Sequence, residues 1–136
     1  MVADLIREGF GEAEDFNCAE KILHAANQAY NLGLDSEALK LASGFGGGMA
    51  IEDVCGAHIA SIMVLGKLFV KERAHESTLI KEFTKEIFER YNEAMESIDC
   101  APLKAQHRTE EAKCKFVILK AAEILDNIVE RESKNK

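Results

Sequence analysis

Apolar side chains recur at helical spacing along almost the whole chain, and strict apolar–polar alternation nowhere holds for more than a few residues. A helix with one apolar stripe must bury it against another helix, so the pattern predicts an all-α fold, a helical bundle of about five or six helices. The strongest stripe, Ile59, Ile62, Met63, Gly66, Phe69 and Val70, predicts a helix from about Asp53 to Lys71-Glu72-Arg73 at the centre of that bundle. With 136 residues, 47% of them hydrophobic, and one proline, the chain suits a single helical domain over 1–136. No repeat and no linker interrupts it.

Local signals place the other helices. The first is predicted over Val2 to Glu14, with Leu5, Ile6, Phe10 and Ala13 at helical spacings. Asn17 with Glu20 three positions later reads as a capping box opening a second helix, which buries Ile22, Ala25, Ala26 and Ala29 and ends at Asn31-Leu32-Gly33. A short helix follows from Asp35-Ser36 to about Ala42. Ser77 or Thr78 caps an amphipathic helix with Ile80, Phe83, Ile87, Tyr91 and Ala94 inward. Pro102 disfavours helix in the residue before it, so Ser97 to Leu103 is predicted as a break. Thr109 then starts the last helix, with Phe116, Leu119, Ala122 and Ile128 buried and Arg131 to Lys136 frayed.

Charge and leader sequences exclude some functions. A formal net charge of -7 with no dense basic cluster argues against nucleic acid. The opening Met1 to Arg7 has no basic region followed by an apolar stretch, and the apolar run Ile59 to Val70 is interrupted by Ser61 and Lys67. A cytoplasmic protein without a membrane span is therefore expected, and its four cysteines point to catalytic, redox or metal chemistry before a disulfide framework.

Cys18, Cys55, Cys100 and Cys114 are separated by 37, 45 and 14 positions, so no zinc-finger spacing is present. On the predicted boundaries Cys18 and Cys55 lie in first helical turns, Cys114 in a second turn and Cys100 in the break. A helix start favours thiolate over thiol, the form that redox exchange and metal ligation both use. Glu52 and Asp53 oppose a thiolate at Cys55. Each cysteine could equally be a small buried hydrophobe. The segment Ser43 to Ala57 holds five of the nine glycines, a loop shaped for close backbone approach. It lacks the Lys-Ser/Thr ending of a phosphate-binding loop.

The segments Asn17-Cys18-Ala19, Ala42 to Met49 and Val54-Cys55-Gly56-Ala57, with two further cysteines downstream, resemble a family described as redox-active and labelled C_GCAxxG_C_C. The resemblance covers nearly the whole chain. It implies that the family cysteines fall on Cys18, Cys55, Cys100 and Cys114 and its motif on Cys55-Gly56-Ala57-His58-Ile59-Ala60, with Ala60 where the family usually has glycine.

Three functions follow as expectations. The first is redox chemistry at the four cysteines, by dithiol–disulfide exchange or through an iron–sulfur cluster, with Gly46, Gly47, Gly48 and Gly56 forming the wall of the cofactor or sulfur site. The second is a structural or regulatory zinc site on the same cysteines, in which His58 or His107 could take part. The third is a helical module whose cysteines fill its core. An electron-transfer protein or a small redox species would be the partner, and a homodimer is compatible with helix faces this apolar.

Overall fold

The computed structural model describes residues 1–134 and shows seven α-helices: α1 (Val2–Arg7), α2 (Cys18–Ala29), α3 (Ser36–Leu39), α4 (Gly56–Phe69), α5 (Leu79–Met95), α6 (Cys100–His107) and α7 (Lys115–Ser133). Two short 3-10 turns, Lys40–Phe45 and Ala74–Glu76, complete the regular structure of the all-α fold, with one irregular turn at Gly48–Glu52. No described helix is long and apolar enough to cross a membrane.

α4 lies at the centre, but the face it buries is not the predicted one: Ala57, Ala60, Ser61, Val64 and Leu65 are buried while Ile59, Ile62, Met63, Gly66, Phe69 and Val70 are half-buried, because a helix apolar on nearly every side does not choose its inner face by residue type. α4 packs against α2, α5 and α7, and α1 lies across α7 and α2. Ala57, Ala60, Val64 and Leu65 of α4 are buried with Ile22 and Ala26 of α2, Phe83, Ile87 and Tyr91 of α5, and Leu125 and Ile128 of α7 in one apolar core. At α2 the capping box forms: Asn17 Oδ1 accepts from the Glu20 N–H at 2.9 Å, and the Glu20 carboxylate accepts from the Asn17 N–H at 3.0 Å.

Four predicted boundaries move, each for a local reason. α1 stops at Arg7, because Gly9 and Gly11 take φ of 94° and 80° and turn the chain before Glu14. The helix after Asp35 tightens into a 3-10 turn from Lys40. Pro102 breaks nothing: it sits in the first turn of α6, where its missing N–H has no intrahelical partner to lose. α7 begins at Lys115 and not at Thr109, because Thr109 and Lys113 exchange backbone hydrogen bonds of 3.2 and 2.7 Å in a tight turn with Lys113 at φ 52°. Side-chain placements shift with them. Phe116 is half exposed beside His107, and Ala94 is exposed while Met95 is buried. Arg131 is helical and binds Glu86 through two nitrogens at 2.7 and 2.9 Å; residues 135–136 of the predicted frayed end lie outside the described residues.

One carboxylate ties three elements together. Asp126 of α7 accepts the N–H groups of Val2 and Ala3 at 3.0 and 2.9 Å, and also the Tyr30 hydroxyl, so it caps the start of α1 from another helix. Replacing Asp126 by Ala leaves three donors without that partner and is expected to destabilise the fold by roughly 2 to 4 kcal/mol. Tyr30→Phe, which removes one of the three, is expected to lose about 1 kcal/mol. Denaturant unfolding of the two variants checks the order.

Candidate functional site

All four cysteines stand at helix starts. Cys18 and Cys100 are the first residues of α2 and α6, and Cys55 and Cys114 are the N-cap residues of α4 and α7. The four helix starts converge on one cavity of about 200 Å³, lined by Cys18, Cys55, Cys100 and Cys114 and walled on its apolar side by Phe16, Leu103, Val117 and Ile118. Cys55 and Cys100 are buried, Cys18 and Cys114 half-buried, and all four are free.

Backbone pairing brings these starts together. Cys55 N–H donates to the Ile98 carbonyl at 2.9 Å and Cys100 N–H to the Asp53 carbonyl at 2.6 Å, an isolated antiparallel bridge that lays the entries of α4 and α6 side by side. The Asn17 amide donates to the Ser43 carbonyl at 3.0 Å and fastens the entry of α2 to the glycine-rich loop. Cys114 closes the cavity from the turn that precedes α7.

The glycines make this convergence sterically feasible. A Cβ on Gly56 would overlap the Phe45 carbonyl oxygen and lie 2.8 Å from Cys18 Sγ; one on Gly48 would lie 2.8 Å from the Cys100 Cβ; one on Gly46 would overlap the Asn17 amide. Gly47 has open space around its Cα but takes φ +63°. It opens a left-handed run in which Gly48, Met49 and Ala50 follow at φ 59°, 62° and 66°. Non-glycine residues in this region cost on the order of 1 to 2 kcal/mol each, so Met49 and Ala50 hold the loop under strain beside the thiols.

Electrostatics divide the cysteines into two kinds. Cys18 is pulled below the ordinary thiol range, first by the neighbouring Cys55 and then, against the effect of burial, by the nearby backbone amides of Gly47, Ala19 and Gly56. Cys55 is pushed above the ordinary range by Cys18 and by burial. Burial also raises Cys100, opposed by Lys104, and Cys114, opposed by Arg108, Lys104 and Lys21. Of the four cysteines, Cys18 alone is shifted towards the thiolate. Cys18 and burial, and not Glu52 and Asp53, which were expected to oppose a thiolate at Cys55, are the leading causes of the upward shift there.

Neither histidine weighed as a ligand lines the cavity. His58 is wholly buried, its ring 3.9 Å from that of Tyr91 and 5.9 Å from that of Phe88, and among the described residues neither of its nitrogens has a hydrogen-bond partner. His107 lies against Phe116. Among the described residues, no three His, Cys, Asp or Glu side chains gather closely enough to hold a metal ion. The four sulfurs thus share a cavity without forming a closed ligand set.

Sequence reasoning missed the cations. Lys21, Lys104, Arg108 and Lys113 line the same cavity, and no carboxylate does. They are spread over the chain in an acidic sequence, so no local cluster announces them.

An all-α fold with four cysteines at converging helix starts defines a thiol-bearing helical protein. Residues 16–128 match the family model described as "Putative redox-active protein (C_GCAxxG_C_C)", and the chain belongs to that family. Read letter by letter, the labelled pattern is met here with its first two residues exchanged, as Cys55-Gly56-Ala57, and with the buried Ala60 at its last position. No curated protein and no solved structure matches the chain.

Two outcomes test this geometry. Gly56→Ala is expected to push α4 away from α2 and to shift the pH midpoint of Cys18 alkylation upward, since a displaced helix start loses its N–H bond to the sulfur. Gly47→Ala meets no steric obstacle and is expected to cost about 1 kcal/mol of stability through its positive φ alone. Iodoacetamide kinetics against pH, read by mass spectrometry at Cys18, separates the two.

Burial lowers the His58 pKa from 6.5 to about 4, so the fold holds the neutral ring while the unfolded chain takes up a proton near 6.5. Stability therefore falls as pH drops from 6.5 towards 4, by up to roughly 3 kcal/mol. His58→Phe, which leaves no buried nitrogen, is expected to flatten urea stability across that window.

Proposed function

We propose that the chain is a thiol–disulfide redox protein in which Cys18 is the attacking thiolate and Cys55 the resolving thiol. The placing of Cys18 and Cys55 in one cavity, where α4 passes against the Cys18 sulfur at Gly56, carries this reading, and the downward shift of Cys18 beside an upward-shifted Cys55 accords with it. Attack of Cys18 Sγ on one sulfur of a disulfide forms a mixed disulfide and releases one thiolate, which is protonated. Cys55 then loses its proton to the second departing sulfur as it attacks Cys18 Sγ, leaving a Cys18–Cys55 disulfide and two thiols of product. Two electrons pass from the protein to the disulfide in all. Cys100 and Cys114 face the same cavity and act as the second dithiol.

Of the four expected wall glycines, Gly47 lines the cavity and Gly56 passes against the Cys18 sulfur, and both serve this chemistry by letting their amides approach Cys18, whereas Gly46 and Gly48 allow close packing against Asn17 and against Asp53 and Cys100. A reducing, cytoplasmic setting suits four free thiols. A cavity of this size receives a small redox species or the tip of a partner electron-transfer protein.

A metal or iron–sulfur centre is the second reading, favoured by the count of four cysteines on one cavity, which equals the ligand set of an all-cysteine cluster or zinc site. The observed donor set does not fit such a group until the thiols draw closer together. Anaerobic purification with elemental analysis distinguishes the readings: stoichiometric iron or zinc supports the second, and its lack together with reversible two-electron oxidation supports the first. For the thiol reading, Cys55→Ser is expected to raise the pH at which Cys18 becomes reactive and to arrest oxidation at the mixed disulfide. Equal trapping of the mixed disulfide by wild-type and variant protein, seen as adduct mass, contradicts the assignment of Cys55.

A further inference from the structure

We infer that the cysteine cavity selects an anionic disulfide, a small molecule carrying carboxylates, as its oxidising substrate. The inference rests on the thiol reading above and names the substrate class for that site.

Four of the cavity-lining side chains are cationic, Lys21 from α2, Lys104 from α6, Arg108 just beyond α6 and Lys113 from the turn before α7, and none is a carboxylate. The chain has 24 acidic residues against 17 Lys and Arg, so a rim of one sign runs against its composition. Several other cations form ion pairs, as in Arg7–Asp4, Lys40–Glu37, Arg90–Glu86 and Arg131–Glu86, and none of these four does so among the described residues. Their charge is left to face the cavity. Glu52 and Glu110 lie with Lys104, Arg108 and Lys113 on an adjoining surface, outside the thiol cavity.

The cations reach the sulfurs as well as the solvent, since Lys104 bears on Cys100 and Arg108, Lys104 and Lys21 on Cys114. A ligand that brings negative charge to the rim therefore places its reacting sulfur at the thiols. Phe16, Leu103, Val117 and Ile118 supply an apolar wall for the rest of the molecule. The small volume admits a low-molecular-weight disulfide and leaves no space for a dinucleotide. The reaction balances as described: the disulfide gains two electrons from the Cys18–Cys55 pair, and its two departing sulfurs take one proton from Cys55 and one from solvent.

The test compares two disulfides of similar reactivity towards thiolates. One is the dianion 5,5′-dithiobis(2-nitrobenzoate), the other the neutral 4,4′-dithiodipyridine, with the reduced full chain as nucleophile and the urea-unfolded chain as reference. Relative to that reference, the folded protein is expected to favour the dianion by about tenfold or more at low salt. The preference should shrink as ionic strength rises from about 0.02 to about 0.5 M. Lys104→Gln combined with Arg108→Gln should abolish most of it, Lys104→Arg with Arg108→Lys should retain it, and Lys67→Gln, on α4 away from the cavity, should leave it unchanged. These are exposed or half-buried positions, and circular dichroism confirms that each variant folds.

Rapid oxidation by the neutral reagent with no preference for the dianion overturns the inference and leaves the thiol chemistry standing. A preference that survives the double glutamine variant and high salt also overturns it. Failure of both reagents to oxidise Cys18 defeats the thiol reading, and this inference with it.

Discussion

The approach of α4 to the Cys18 sulfur, made through Gly56, is the constraint on which the rest of the site depends. No side chain fits between the Phe45 carbonyl, the Cys18 sulfur and the α4 backbone. Because the approach is that close, the Gly56 N–H and the Cys55 thiol both reach Cys18, and the α2 capping box becomes part of the site as well as of the helix. The Val54–Asp99 bridge then draws α6 to the same point. Backbone hydrogen bonds rather than side-chain packing thus set the relation between these helix starts. Such bonds are directional and keep their geometry in a half-exposed site where packing alone is loose.

The thiolate is stabilised by a sum of moderate effects against one strong opposing effect. Burial disfavours a charged sulfur, and it prevails at Cys100 and Cys114, where no thiol donates. At Cys18 the neighbouring Cys55 and three backbone amides outweigh it. A hydrogen bond to a charged group contributes about 1.5 to 3 kcal/mol, so several together exceed a partial desolvation cost that one would not. The strained loop from Gly47 to Ala50 follows from this arrangement: a left-handed turn aims the Gly47 amide at the sulfur, and two glycines spare it half of the conformational cost.

Helices with long apolar stripes were legible in the sequence, because burial of a stripe needs only the right period; α2, α4 and α5 lie close to where their side chains predict. Boundaries were less so. Pro102 has the same effect on its neighbours in a break and in a first turn, and only the tertiary position of Cys100 decides between them. Gly9 and Gly11 end α1 early because both adopt positive φ, a choice invisible from the residue names. Spacings of 37, 45 and 14 residues said nothing of convergence, which arises from backbone pairing between Val54 and Asp99 and from the turn at Thr109. The helix start at Cys18 was readable to the residue and that at Cys55 within about three residues, whereas that of Cys114 depended on a boundary six residues from the predicted one.

A cationic rim on a chain of net charge -7 poses a question of range. At physiological ionic strength charges are screened over about 8 Å, so the many carboxylates on distant helix faces contribute little to the potential inside the cavity. Lys21, Lys104, Arg108 and Lys113 stand at its wall, where low-polarity surroundings screen them less. The molecule as a whole therefore keeps the solubility of an acidic protein while the field at the sulfurs is set locally and has the opposite sign. Lys104, Arg108 and Lys21 between them oppose the effect of burial on Cys100 and Cys114, and under the proposed reading the rim that eases those two thiols also draws the anionic disulfide that Cys18 attacks.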